Sequence, residues 1–299
     1  MSSVWEVRTD PSLVRLKLFC AGRLALAYNT GGPVGDFYRP RPDFYPVYSP
    51  LGYLLTDQST YRHAHHASIW LGHGRVGHRV NNFYHNTPND GRIITRRIAY
   101  GTCGNSVRLG SELEWVNIRN GVDLQEVRLV EITLEDGCYT LDWFTRLKSP
   151  ERSITMLQDN HSLLCFRVAD TMDVEDGGKI RNSNGQINEE ACMGQVADWI
   201  DYSGLVGNHQ CGITLMNHPS NVASGWFVRN YGTICLSPFL TNDRTLEPDV
   251  WFDFRARFVL HDGDLQDVSI PTLWEAFTKR TEWPNPLESD GTVVTELRF

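Results

Sequence analysis

This chain lacks the marks of a membrane protein or a secreted one. No apolar run approaches the roughly 20 residues that cross a bilayer, and the N-terminal MSSVWEVRTDPSLVRL has no apolar signal core. A soluble, cytoplasmic protein is expected. Basic tracts are missing as well: Lys and Arg number 28 against 36 Asp and Glu, for a net charge of -8. That balance argues against nucleic acid and against an anionic membrane surface as partners. The seven cysteines, Cys20, Cys103, Cys138, Cys165, Cys192, Cys211 and Cys235, form no CxxC pair and are odd in number. Free, mostly buried thiols in a reducing compartment fit this pattern. There is no internal repeat, low-complexity tract, linker or break in composition across the 299 residues, so one domain over 1–299 is expected.

Helical periodicity is also scarce. The dominant period is two, as in Val14–Leu18, Ser106–Val116, Val127–Leu134, Tyr139–Leu147, Ser162–Val168, Gly212–Met216, Gly225–Arg229, Thr233–Leu236 and Val250–Leu260. Alternation of this kind marks half-buried antiparallel strands. Turn formers separate them, among them Arg119-Asn120-Gly121, Glu135-Asp136-Gly137 and His261-Asp262-Gly263. Two short helices are expected, one over Met193–Asp201 and one over Leu273–Thr281, with Thr272 as its cap and Glu275 as the capping-box partner. The fold class is therefore all-β: a large antiparallel β-sandwich with one or two short helices.

Histidine is what the chain concentrates. Six of its ten fall between residues 61 and 92: His63, His65, His66, His73, His78 and His85. Imidazole suits both proton transfer near neutral pH and metal ligation. On a strand, His63 and His65 share a face and His66 points away. His73 lies between Gly72 and Gly74, where the backbone could approach a ligand closely. His63, His65, His66 and His73 are the candidate ligands of a divalent metal, the one cofactor suggested, although the spacing matches no standard zinc signature. His78 and His85 read better as loop-holding hydrogen-bond partners.

Three further segments carry candidate chemistry. Phe37–Pro50 interleaves prolines, aromatics and arginines, and suits either a sugar or carboxylate ligand or a stiff loop. Gly185–Gly204 brings Glu189, Glu190, Asp198 and Asp201 near Trp199 and Tyr202; Cys192 within it reads as a small core residue. Met216–Asn221 ends in His218 before Pro219, an extended rim position, followed by Trp226, Arg229 and Tyr231.

The strings YRPxxxFYPVYSPLG, HxHHxSIWLGHG, GxIxNSNGQ, ADWIDYSG, NHPSN and WFVRNYG, in order from about Tyr38 to His261, resemble the domain family labelled "methane oxygenase PmoA". That label names a multi-span membrane subunit and does not describe a chain with no span. The resemblance implies a β-sandwich akin to the galactose-mutarotase superfamily and a role in sugar or polyol metabolism. It places Arg39, His65, His66, His73, Glu126, His218, Asn221, Arg229 and Tyr231 at motif positions. Departures cluster. An Asp-His-Pro-His-His-Arg pattern appears here without its Asp, Pro and final Arg; a Trp-Gly-Lys appears as Cys192-Met193-Gly194; and a usual acidic or basic site before Arg167–Asp170 appears as Asn160-His161. Together they point to a specialised, biosynthetic branch.

The expectation is an enzyme of lyase, isomerase or hydrolase type acting on an oxygen-rich small molecule such as a sugar or polyol. His65, His73, His161, His218 and Glu126 are the acid–base candidates. Tyr38, Arg39, Trp70, Asn221, Arg229 and Tyr231 are the candidates for holding substrate. A histidine-ligated oxidative metalloenzyme and a non-catalytic carbohydrate-binding module are the alternatives. A homodimer is one arrangement open to a large sandwich.

Overall fold

The computed structural model describes residues 3–10, 15–34, 37–287 and 295–298. Its strands form two large antiparallel sheets. The first has eight strands in the order Trp5–Asp10, Arg15–Cys20, Arg23–Asn29, Asp43–Val47, Ile69–His73, Ser162–Arg167, Thr233–Leu236 and Trp226–Arg229. The second has nine: Lys179–Asn182, Trp199–Val206, His209–Asn217, Phe252–Asp262, Cys138–Lys148, Val122–Glu135, Ser106–Val116, Arg92–Cys103 and Thr295–Arg298.

Period-two patterning sets which side chains meet between the sheets. In the nine-stranded sheet, Leu109, Val130, Trp143 and Ala256 are successive cross-strand partners, and all lie in the main core. In the eight-stranded sheet, Leu71, Leu164, Leu236 and Trp226 form the facing kind of row. Each such apolar side chain contributes about 1.5–3 kcal/mol when fully buried, which is why alternation survives in the sequence. The all-β antiparallel sandwich is thus the observed fold.

Glu126 sits inside this core. It accepts from Trp115 Nε1 at 2.8 Å and from Arg128 Nε at 2.7 Å, and the Arg128 guanidinium lies 4.9 Å from the centre of the Trp143 ring. Both partners are buried. The expectation that Glu126 is an acid–base residue is corrected: its carboxylate is sealed between the sheets and neutralises a buried cation.

The outer face of the nine-stranded sheet is covered by the helix Ile270–Thr278, which packs Ile270, Leu273 and Phe277 on Met216, Val259 and Cys138. It starts two residues before the expected Thr272 cap because Pro271 fits its first turn, where the missing N–H has no partner to lose. The other expected helix, Met193–Asp201, does not form. A short helix spans Asn188–Cys192 instead, and Trp199 already begins a strand. Gly194, at φ 73°, turns the chain left-handed and closes that helix.

Candidate active site

A second apolar cluster lies on the other face of the eight-stranded sheet. Trp70, Cys165, Cys235 and Phe227 are successive cross-strand partners, and with Ala67, Tyr84 and Leu240 they point away from the main core. On this floor the chain assembles five histidines. His63, His65 and His66 come from the strand His63–Ala67, which among the described residues pairs with Gln58–Thr60 in a two-stranded ribbon. His85 follows Tyr84 on the next loop, and His161 directly precedes the strand Ser162–Arg167.

The ring contacts are close. His63 stacks on His66 at 4.6 Å and on Tyr231 at 4.4 Å; His66 stacks on Trp70 at 5.3 Å. His65 stands edge-on to His66 at 4.7 Å and tilts against His85 at 4.5 Å, and His85 meets His161 at 5.0 Å. His66 therefore does not point away from its neighbours as strict alternation requires. Its strand belongs to neither large sheet, and the ribbon's register shifts between Gln58 and Thr60, so no sheet imposes the pleat.

Crowding and burial favour the neutral form of His63, His65, His66 and His85. Burial is the main cause, reinforced by the neighbouring imidazoles and arginines: it pushes His65 down to about 3, places His66 lower still, and lowers His63 and His85. His66 Nδ1 meets Thr233 Oγ1 at 3.1 Å, and His85 Nδ1 meets the Asn82 amide at 2.8 Å. His65 Nε2 is buried with no hydrogen-bond partner.

His161 differs from the rest. Its side chain is 44% exposed, and its Nδ1 lies 3.3 Å from Asp159 Oδ1. Asp159 also accepts from the His161 backbone N–H at 3.0 Å. Burial opposes ionisation of Asp159, but these bonds outweigh it and hold its carboxyl below the usual range. A carboxylate that fixes Nδ1–H leaves Nε2 as the free base of the ring.

Arg41 supports the cluster from below. It is fully buried, lies between Trp70 and Tyr84 at 5.9 and 5.7 Å, and donates to the backbone carbonyls of His65 and His85 and to Asn86 Oδ1. Burial drives its guanidinium down to about 10, well above neutrality, so it remains a cation that ties the two histidine segments together. Arg41→Met should cost about 2 kcal/mol, the scale of losing charge-assisted bonds to a buried carbonyl. Urea denaturation measures that cost, and loss of the His65–His85 contact should appear as altered imidazole NMR shifts.

Several expected site residues lie elsewhere or do other work. His73 is completely buried; Nδ1 meets Ser162 Oγ at 2.7 Å and Nε2 meets the Leu157 carbonyl at 2.8 Å, so no nitrogen is free for substrate or metal. The flanking glycines serve packing rather than a ligand: a Cβ on Gly72 would meet the Phe83 carbonyl at 2.6 Å, and one on Gly74 would meet Asp159 Oδ2 at 2.2 Å. Trp70 is wholly buried and floors the site without facing solvent. His218 packs against Phe277 at 5.0 Å, under the helix on the opposite sheet, and its Nδ1 meets Ser220 Oγ. Asn221 is saturated by Asn217 and the Arg255 backbone. The side chains of Tyr38 and Arg39 lie outside the described residues; their backbone pairs in a ribbon with Gly32–Val34.

Two expected binders do join the cluster. Tyr231 stacks on His63, and Arg229 covers Phe227 at 4.7 Å while held by Glu189 at 2.5 Å. Asp159, Arg41, Tyr84 and Phe227 were not singled out from sequence. His161 was, and Asp159 two residues before it was the readable signal. His85, expected to be a loop-holding residue, is both hydrogen-bonded and part of the cluster. Cys192 is buried, and burial pushes its thiol up to about 11, as its reading as a core residue implies.

An antiparallel sandwich with an imidazole cluster against the outside of one sheet is the class of protein these features define. The chain belongs to DUF6807, described as a family of unknown function, whose profile matches residues 15–275. No curated protein matches it significantly. Among solved structures it is similar to the GH36 α-galactosidase AgaB of Geobacillus stearothermophilus, at 12% identity and TM-score 0.44, covering 87% of this chain and 41% of that one. The AgaA A355E enzyme of the same organism, in complex with 1-deoxygalactonojirimycin, gives 12% identity and TM-score 0.39 over 87% of this chain and 40% of that one. A polysaccharide lyase gives 9% identity and TM-score 0.29, covering 88% and 33%. This chain spans less than half of each of these three. Among the described residues no helix is long and apolar enough to cross a membrane.

Proposed function

We propose that this protein is an enzyme that acts on an oxygen-rich small molecule of the carbohydrate or polyol class by imidazole acid–base chemistry, of lyase or isomerase type. The observation that carries this reading is the His161–Asp159 pair, at 3.3 Å, on a ring that is 44% exposed in a cluster whose other members are buried (His66) or half-buried (His63, His65 and His85). In this reading His161 Nε2 removes a proton from substrate, and Asp159 steadies the imidazolium that results. Arg229, beside Phe227, stabilises an oxygen that gains negative charge. Tyr231, half-buried beside His63, is the aromatic side chain that a sugar's apolar face would meet, while the buried Phe227 packs beneath Arg229. The carbohydrate-active enzymes among the similar solved structures agree with the substrate class but carry no weight for the reaction.

A histidine metal centre is the second reading, favoured by the partnerless Nε2 of His65. Against it, the histidine rings do not bring three donor atoms within 4.8 Å of one another among the described residues.

The test is incubation with a panel of aldoses, ketoses, uronates and aldonates in D2O, followed by NMR for deuterium uptake, elimination or isomerisation. The wild type should turn over at least one member, and His161→Gln should lose that turnover at an unchanged melting temperature. Equal activity in the variant overturns His161 as the base. Saturable binding without turnover would assign a binding module instead.

A further inference from the structure

We infer that His209, Cys211 and Asp262 form a zinc site, separate from the histidine cluster and built into the edge where the two sheets meet. His209 and Cys211 are two apart on the strand His209–Asn217, so both project from one face. Asp262 ends the strand Phe252–Asp262 and is the cross-strand partner of Cys211. Sequence position hid this trio, since the ligands are 51 residues apart in the case of Cys211 and Asp262.

The distances fit a tetrahedral ion. His209 Nε2 lies 3.1 Å and Cys211 Sγ 3.8 Å from Asp262 Oδ1, and all three donor atoms fall within 4.8 Å of one another. With zinc bonds of about 2.0–2.1 Å to nitrogen, 2.0–2.2 Å to oxygen and 2.3 Å to sulfur, tetrahedral edges come to about 3.3 Å for N–O and 3.6 Å for S–O. Shifts of a few tenths of an ångström would close the shell. A mixed N, O and S set is what a borderline-soft divalent ion selects.

The surrounding contacts fix these ligands. Tyr53 stacks on the His209 ring at 4.2 Å and 11°, and Leu51 N–H donates to Asp262 Oδ2 at 2.9 Å, leaving Oδ1 for the ion. His209 is 32% exposed and Asp262 14%, so an ion has a route in and water can take the fourth position. Leu51 and Tyr53 belong to the loop that leaves Asp43–Val47 of the eight-stranded sheet, whereas the ligands belong to the nine-stranded sheet. An ion here would therefore staple one sheet to the other.

Binding must displace the thiol proton of Cys211, because the thiolate is the form of cysteine that ligates zinc. The ion takes the thiolate sulfur, the neutral Nε2 of His209 and Oδ1 of Asp262, and one proton leaves to solvent.

Cobalt(II) substitution tests the site, with zinc competition for affinity. The full-length Cys103→Ser protein, which removes the exposed thiol, should bind one Co2+ with a thiolate-to-cobalt charge-transfer band in the near ultraviolet. Zinc should abolish that band and release about one proton per ion. Adding Cys211→Ser should erase the band, and Asp262→Asn, which keeps the thiol, should weaken binding by about 100-fold or more. His65→Ala should leave the band intact, which separates this site from the histidine cluster. Absence of the band in the Cys103→Ser protein, or its persistence after Cys211→Ser in a chain with native circular dichroism, overturns the assignment.

Discussion

Acidification from about pH 6.5 to about pH 4.5 should destabilise this protein by several kcal/mol, well before most carboxylates titrate. The cause is the set of histidines that fold as neutral rings. An unfolded histidine takes up its proton near 6.5, whereas burial holds His73 down to about 4, His65 down to about 3 and His66 lower still. For a group whose folded affinity for protons is lowered, the unfolded chain binds more protons between the two values. Stability is therefore fully present above about 6.5 and drains away as pH falls. Each fully buried ring contributes at most about 1.4 kcal/mol per pH unit, and His73 alone about 3 kcal/mol over its whole window. His65 is only partly buried, so its share is smaller. His261 works the other way: burial disfavours its charge, but Asp201 at 3.0 Å outweighs burial and raises it, so its contribution is present at low pH and lost as pH rises. Asp159, held low, adds to the acid loss only below about 3.8. With total stability on the order of 5–15 kcal/mol, the fold should pass its midpoint in mild acid. Urea midpoints measured from pH 8 to pH 4 read this directly, and His73→Gln should flatten the slope. A midpoint independent of pH would mean that the rings protonate inside the fold and that the cluster is far wetter than its packing shows.

The same rings explain which parts of the site the sequence disclosed. Histidine density marked the segment 61–92, and the floor beneath it was written in ordinary alternation at Ile69–Trp70–Leu71 and Ser162–Val168. Which histidines converge was not legible. His73 is closest to the centre of the motif yet is consumed by Ser162 and the Leu157 carbonyl, whereas His161, 98 residues beyond His63, completes the cluster because its strand pairs with Ile69–His73. Side-chain direction failed at His66 for a local reason: a ribbon outside the sheets does not enforce alternation. Arg41 was hidden by its surroundings. Within a strip of prolines and aromatics, nothing local marks Arg41 as an arginine that dives under the cluster. The helix over Met193–Asp201 was a false period: Met193, Val196, Ala197 and Ile200 mimic helical spacing, and the left-handed Gly194 overrides it. The strands were legible because a two-sheet core must repeat one simple rule along every strand, while a site needs only a few residues from distant segments.

Glu126 shows how a motif position can serve the core, and replacing it should carry a large single-residue cost. Glu126→Gln should destabilise the fold by about 3–5 kcal/mol, the range for stripping the partner from a buried charge. The glutamine still fits and its carbonyl can still accept from Trp115 Nε1, so little volume changes and the loss isolates the charge. What remains is the Arg128 guanidinium, 1% exposed, facing Trp143 without a counter-ion. Relaxation cannot readily solvate it, because the wholly buried Trp143 lies against it at 4.9 Å. Removing the cation as well should recover part of the cost: Glu126→Gln with Arg128→Met should be more stable than the sum of the single losses, since a buried pair exchanged for apolar packing is often neutral. Chemical denaturation of the four proteins closes the cycle, and a coupling of at least about 1.5 kcal/mol is expected. A cost below about 1 kcal/mol for Glu126→Gln, with no coupling to Arg128, would mean that the pair is hydrated, and would reopen a chemical role for the carboxylate. The expected result instead separates two polar centres of this sandwich: an ion pair sealed between the sheets, and an imidazole cluster outside one of them.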